Sequence, residues 1–501
     1  MSMEVLAFAL YFIAMLSIGV LFFFKSKSAN EKDYFLGGRQ MGPWVTAMSA
    51  QASDMSAWLL MGLPGSILAF GLGQAWIGIG LAIGTALNWI IVAKRLRKFS
   101  EAAGDSITVP QYLTNRFMAK SSALKIVCAV VFLVSFTIYV ASAFSAGTTV
   151  FTTLFPNLHP TLAMVIFAAI ILIYTFLGGF KAVCWTDFFQ GLLMLVALLA
   201  VPIIIVCTKT LDTAALSTTY SYIENGKTVE CVFTPNLFAA SWKEIVSGLA
   251  WGLGYFGMPH IIVRFMSIEK PSMVKKSATV AIIWVIVTLL AAILIAYFGR
   301  MLLAEQLLTT GSQKLVFIEL ARWLFPGFIA GLLLAAIIAA SMSTADSQLL
   351  VASSSFTSDI YKPLIRKNAS EKELLWIGRI VVIIVAIIAF FIANDGGAGA
   401  QAIMNMVENA WGLFGAAFGP VILLSLFWKR FTYNGAVAGI VAGAIVDLGW
   451  LIWLSGTGIY EILPGFIACF IVSVVVSLCD KAPSQEVLAI FEKATDKSLD
   501  K

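Results

Sequence analysis

The chain has 501 residues, 60% of them hydrophobic and only 12% charged, with a mean hydropathy of +0.92 and a net charge of +6. Soluble proteins of this length carry about 25% charged residues, so this composition places most of the chain in lipid. The apolar runs are long and continuous, not alternating segments of about 10 residues, which selects membrane-spanning helices over a barrel.

Thirteen apolar segments, each near the ~20 residues that a hydrocarbon core needs, lie near 5–24, 45–69, 74–93, 122–150, 161–178, 186–207, 240–264, 278–298, 328–352, 375–393, 402–428, 435–455 and 461–478. The first lacks a basic n-region and a small-residue cleavage site, so it reads as a retained helix. The second contains a polar break, Ala52-Ser53-Asp54-Met55-Ser56-Ala57-Trp58, with Asp54 mid-span. The seventh contains Trp251-Gly252-Leu253-Gly254-Tyr255-Phe256-Gly257-Met258-Pro259, where three glycines and a proline weaken any helix. Broken helices in equivalent positions of two inverted repeats expose backbone groups that bind ion and solute; glycine-rich packing surfaces are the other reading. In the ninth segment Ala340, Ser343, Thr344 and Ser347 share one helix face, offering oxygens that suit sodium or that bond back to their own helix. Residues 208–239 form the longest polar loop, and in the 480–501 tail Ser484 is placed to cap a short helix after Pro483.

Most of the 33 Lys and Arg, including Lys94-Arg95-Arg97-Lys98, Lys275-Lys276, Arg366-Lys367 and Lys429-Arg430, fall on one side if the N-terminus is outside. Basic loops stay cytoplasmic, so the expectation is a multi-pass protein of the cell membrane with its C-terminus in the cytoplasm. This topology accounts for the net charge without a nucleic-acid partner. The six scattered cysteines read as small core residues, and two histidines give no basis for a histidine-ligated metal site.

Lys and Arg almost vanish from the span interiors, whereas Asp54, Asp187, Asp346, Glu408 and Asp447 remain. Acids at this depth are costly unless water, an ion or a partner compensates them, and a wholly acidic set suggests a cation pathway. Asp187, Glu408 and Asp447 lie toward span ends, where solvation or capping also explains them.

These residues resemble the solute:sodium symporter family, and within it the sodium/proline branch. One family motif is matched by Tyr174-Thr175-Phe176-Leu177-Gly178-Gly179-Phe180-Lys181-Ala182, and another runs from Ser425-Leu426 through Arg430 to Gly443. Leu36-Gly37-Gly38-Arg39, Ser53-Asp54-Met55-Ser56, the Trp251–Gly257 stretch and Trp411-Gly412-Leu413-Phe414-Gly415 resemble the proline branch. The resemblance implies an all-α LeuT-type fold: a single transmembrane domain over 1–479 with inverted repeats at about 45–207 and 240–428, peripheral helices 1, 12 and 13, and a cytoplasmic tail. It implies a sodium site from the carbonyls of Ala52, Met55 and Ala340 with the hydroxyls of Ser343 and Thr344, and a coupling role for Asp54 and Arg39. The implied L-proline pocket uses Trp58, Tyr139, Trp251, Tyr255 and Pro259. Asp187, Asp346 and Ser347, with Ser343, match a second cation position; solvation of Asp346 by inner water is the alternative. The expected ligands are L-proline and co-transported Na+ in a lipid bilayer, with no enzymatic activity, no cofactor and no obligatory protein partner. Met258, Asp346-Ser347 and Glu408-Asn409 depart from the branch pattern, which bears on substrate detail and ion stoichiometry. Another small carboxylate-bearing solute, proton coupling, a cation channel, a membrane enzyme or a transporter-like sensor are the rivals; the first two stay within the family. A channel lacks a use for paired breaks and an aromatic pocket, an enzyme needs a nucleophile–base or metal cluster, and a sensor needs an appended signalling domain.

Overall fold

Long apolar stretches with their backbone bonds closed internally are the stable form in lipid, and the chain follows that rule. The computed structural model describes residues 2–25, 30–224, 227–395 and 400–496, most of them helical. Among these, 10 helices are long and apolar enough to cross a membrane, from Met3–Leu21 to Ile462–Cys479, and a pair bent by 43°, Trp242–Phe256 with Pro259–Ser267, raises the number to 11. The other two sequence-predicted spans correspond to shorter apolar helices, Ala57–Phe70 and Pro160–Ile173, so a count of thirteen is not established.

Both predicted breaks are real interruptions of the backbone. In the second segment the helix Pro43–Asp54 stops at Met55 (φ −80°, ψ 70°), and a turn at Ala57–Leu59 leads into Gly62–Phe70. Ser56 holds this turn by accepting the Trp58 N–H. In the seventh, Trp242–Ala250 begins with a reciprocal Ser241/Glu244 capping box, tightens over Trp251–Phe256, and restarts at Pro259, whose missing N–H is no loss in a first turn. A third break separates segments five and six: Gly179 has φ +61°, where a side chain is strained, and the Tyr34 ring lies against it.

The polar 208–239 loop contains an antiparallel hairpin, Tyr220–Glu224 with Lys227–Cys231, which departs from a purely helical expectation. Its sequence signal was the Asn225-Gly226 pair between alternating residues. The tail forms the helix Gln485–Thr495 behind its Ser484 cap; its last five residues lie outside the described set. The tail helix packs on residues 94–116, with Phe491 against Phe99 at 5.2 Å and Arg116 donating to the Val487 carbonyl. Hairpin and tail mark the two faces of the molecule, joined by the Leu72–Ala102 helix.

That helix meets the broken seventh segment backbone to backbone. A Cβ on Gly80 would fall 2.2 Å from the Gly248 carbonyl oxygen, and one on Gly84 would fall 2.3 Å from that of Gly252. Small residues permit such an approach. Gly84→Ala is therefore expected to cost roughly 1–3 kcal/mol through overpacking and to lower the Tm in detergent, while Gly42→Ala, which meets nothing within 4 Å, leaves it unchanged. Equal melting temperatures for the two variants would contradict this packing.

Candidate functional site

A helix end leaves its last carbonyls without intrahelical partners, and a break in mid-membrane puts such groups where water is scarce. The Ala52 carbonyl lies in the last turn of Pro43–Asp54 and accepts from the Ser343 hydroxyl at 2.8 Å. Ser343 also reaches the Ala340 carbonyl at 3.2 Å, and Thr344 donates to the same oxygen at 3.0 Å. Ala52, Met55, Ala340, Ser343 and Thr344 are all buried. Four oxygens from two helices thus converge beside the first break, a neutral oxygen nest of the kind a weakly charged hard cation takes.

Asp54, the last residue of the same helix, accepts from the Tyr255 hydroxyl at 2.5 Å. This bond ties one break to the other. Tyr255 sits edge-on to Trp411 at 5.0 Å, Trp411 donates its indole N–H to the Trp251 carbonyl at 2.8 Å, and Asn88 donates to the Tyr255 carbonyl at 2.9 Å. Trp251 in turn faces Trp58 at 6.3 Å and Tyr460 at 5.1 Å. Trp58, Trp251 and Tyr255 are therefore brought together, with Pro259 at the restart of the helix. Tyr139 approaches through the His260 ring at 6.4 Å. All of these side chains are buried, so the molecule is closed around them. Asn88, His260, Trp411 and Tyr460 were not picked out as site residues from the sequence; Asn88 is a lone amide in an apolar run, and Trp411 stands in a motif quoted for its resemblance alone.

The third group contains the residue that sequence reasoning missed most consequentially. Asp187 is ion-paired with Arg264 at 2.9 Å, both side chains being at most 1% exposed. Arg264 also donates to Ser49 at 2.7 Å, to the His260 carbonyl at 2.5 Å and to Ser347 at 2.5 Å, while Ser49 donates to Asp187 at 2.6 Å. Ser347 bonds Asp346 at 3.2 Å. Asp187, Asp346 and Ser347 are thus near one another, and the cation among them is a guanidinium. Arg264 is the last residue of the predicted seventh span and was not singled out from the sequence; the structure continues that helix to Ser267 and buries the arginine.

Arg39 lies away from Asp54. It bonds Asp105 at 2.7 Å, Ser100 at 3.1 Å, the Ser106 carbonyl at 2.8 Å and the Met266 carbonyl. Arg97 caps the same helix end through the carbonyls of Ile268 at 2.5 Å and Glu269 at 3.0 Å, and Met41 pairs by backbone with Ser267 and Glu269. This is a latch across the tail-side face. Burial acts against the Asp105 charge, but Lys32 and Arg39 beside it hold the carboxyl below its ordinary range.

The sodium:solute symporter family matches residues 34–443. The sodium/proline symporter of Haemophilus influenzae is 43% identical over 502 residues, covering 98% of this chain and 97% of that one. That of Escherichia coli is 42% identical over 493 residues, covering 97% and 95%. Among solved structures, a Na+-coupled sialic acid symporter in a substrate-bound outward-open state superposes with a TM-score of 0.76 at 22% identity, covering 96% of this chain and 99% of the other. A nucleobase-cation-symport-1 family transporter in a closed conformation gives 0.57 at 13% identity, covering 92% and 98%. These likenesses establish the LeuT-type fold.

A buried ion pair fails differently when one partner or both are removed. Asp187→Asn or Arg264→Gln alone is expected to cost about 3–5 kcal/mol by leaving an uncompensated charge, whereas the double variant recovers much of that loss. Thermal denaturation of the four proteins in a double-mutant cycle checks this; additive losses would mean that the two side chains do not act as a pair.

Proposed function

The chain belongs to the sodium:solute symporter family, and on that premise we infer that it is a multi-pass membrane symporter that couples uptake of L-proline to the inward movement of sodium. The observation that carries this reading is the oxygen nest at the first break, where Ser343 and Thr344 meet the carbonyls of Ala52 and Ala340. Sodium would take these four oxygens with the Met55 carbonyl, replacing hydroxyl-to-carbonyl bonds with ion–oxygen contacts.

The solute pocket would lie between the breaks, walled by Trp58, Tyr139, Trp251, Tyr255 and Pro259. Proline is a compact zwitterion with an apolar ring. The helix restarting at Pro259 offers its positive dipole end and the His260 N–H of its first turn to a carboxylate, while aromatic faces accept the ring and the secondary ammonium. Asp54 couples the two ligands: its helix carries Ala52, and its carboxylate holds Tyr255 of the solute wall. Ordering either site stabilises the arrangement the other needs, which is a coupling free energy shared between them.

The tail-side face is read as cytoplasmic and the hairpin face as outer, on the distribution of Lys and Arg. In this reading the repeats span about 45–207 and 240–428, and Arg39 acts on coupling by locking the inner end of the seventh segment to residues 100–106. Asp187, Asp346 and Ser347 form an inner cation position that the Arg264 guanidinium fills in the closed molecule; a second sodium would enter only as that guanidinium shifts.

Ser343→Ala and Thr344→Ala should each raise the sodium concentration giving half-maximal proline uptake by about tenfold, since one lost coordinating or hydrogen-bonding oxygen is worth roughly 1–3 kcal/mol, without a matching loss of folded protein. Tyr255→Ala should weaken proline binding while leaving sodium binding in its absence detectable. Unchanged sodium dependence in both hydroxyl variants would remove the assignment of the nest.

A further inference from the structure

Three carboxylates on the hairpin face have no cationic partner among the described residues, although two of them are buried. Asp447 is fully buried on the helix Tyr433–Gly449, and neither of its carboxylate oxygens has a hydrogen-bond partner. Glu461 is 7% exposed, with one carboxylate oxygen likewise unpartnered, and it faces Asp447 as a like charge. Glu408 is half-buried on the facing helix. The nearby base, Lys243, donates to the Thr457 carbonyl at 2.8 Å and makes no ion pair with these acids. Glu244 is engaged in its capping box.

The three acids surround one side chain, Tyr460, which lies in the field of all of them. Its hydroxyl donates to the Glu408 carbonyl at 2.7 Å. Asp447 reaches the same spot: the position a Cβ would take on Gly412 is 3.2 Å from Asp447 Oδ1 and 3.4 Å from Tyr460 Oη. Above Tyr460 lies a cavity of about 360 Å³ whose lining includes Ser247, Asn405, Glu408, Asn409, Tyr460 and Glu461. An adjoining cavity of about 240 Å³ shares Ser247 and Glu408 and extends to Trp251, against which the Tyr460 ring packs at a tilt, 5.1 Å away. A path lined with acids therefore leads to the wall of the proposed solute pocket.

Unpaired carboxylates at membrane depth call for a counter-charge, and an aromatic face among them adds attraction for a cation. Among the described residues no three acidic, His or Cys side chains converge closely enough to chelate a metal ion, so the chemistry fits a singly charged, loosely held occupant. We propose that the cavity lined by Tyr460, Glu461 and Glu408, with Asp447 buried behind Tyr460, is a binding station for a monovalent cation on the hairpin face, distinct from the nest at Ser343. The station rests on the sodium-coupled reading above. Its occupant is sodium or the protonated amine of the arriving solute; both are small cations that can be drawn in by carboxylates and passed toward Trp251.

The test uses purified full-length protein with Asp447→Asn and, in parallel, Glu461→Gln, which retains the fold if the more deeply buried substitution does not. Binding of 22Na+ without proline and of radiolabelled proline at saturating sodium are measured side by side. If sodium is the occupant, the variants lose about one bound 22Na+ per protein or raise its half-saturation about threefold or more, and proline binding at saturating sodium stays normal. If the solute amine is the occupant, only the proline arm weakens. Wild-type values in both arms for either folded variant would overturn the proposal, because a neutral, protonated acid is closely mimicked by the amide. Absence of 22Na+ binding to the wild-type protein would instead remove the sodium-coupled reading on which the station rests.

Discussion

The structure depends on how backbone groups freed inside the membrane are satisfied. A helix that crosses lipid without interruption has no polar obligations, but one that stops halfway leaves carbonyls and N–H groups where water cannot serve them. Here the Ala52 carbonyl before the first stop is met by the hydroxyl of Ser343, the Trp251 and Tyr255 carbonyls before the second accept from Trp411 and Asn88, and Gly257 lies against the backbone of Phe414. In the proposed function, the polar groups that close these gaps are the ones that the transported ion and solute take over. Stability of the closed molecule and capacity to bind therefore draw on the same atoms.

From this follows a division of the chain into parts that must hold and parts that must give. Gly80, Gly84, Gly248 and Gly252 bring two helices into backbone contact and anchor the broken segment against its neighbour. The Tyr255–Asp54 bond and the Ser343–Ala52 bond are single hydrogen bonds, each worth little net when exchanged for another partner. The tail-side latch is denser: Arg39 and Arg97 together engage the carbonyls of Met266, Ile268 and Glu269, and the tail helix packs on the segment that carries Arg97. If the molecule works by alternating access in the proposed orientation, this latch is the contact that would break to open the tail-side face.

Much of this was legible in the sequence because lipid narrows the choices. Span positions followed from hydropathy, both breaks from glycine, proline and polar runs, and the hydroxyl face of the ninth helix from helical spacing. Three features were not. The Arg264–Asp187 pair requires two helices 77 residues apart to meet, and no local pattern announces that an arginine at a span edge turns inward. The strands Tyr220–Glu224 and Lys227–Cys231 pair within a stretch read only as the longest polar loop, despite its Asn-Gly turn signal. Asp447 was discounted as interfacial, whereas helix packing against Gly412 and Gly465 removes it from water altogether. Burial of a charge is a property of the assembled bundle, not of the segment that bears it.

The central claim is that the two breaks bind a sodium ion and a proline molecule that cross together. The most direct measurement is uptake of radiolabelled L-proline by the purified wild-type protein in proteoliposomes, with sodium outside only and with sodium equal on both sides. The account predicts saturable accumulation above equilibrium under the inward sodium gradient, and only equilibration when the gradient is removed. Accumulation that persists without a sodium gradient, or transport of another amino acid in strong preference to proline, would contradict it.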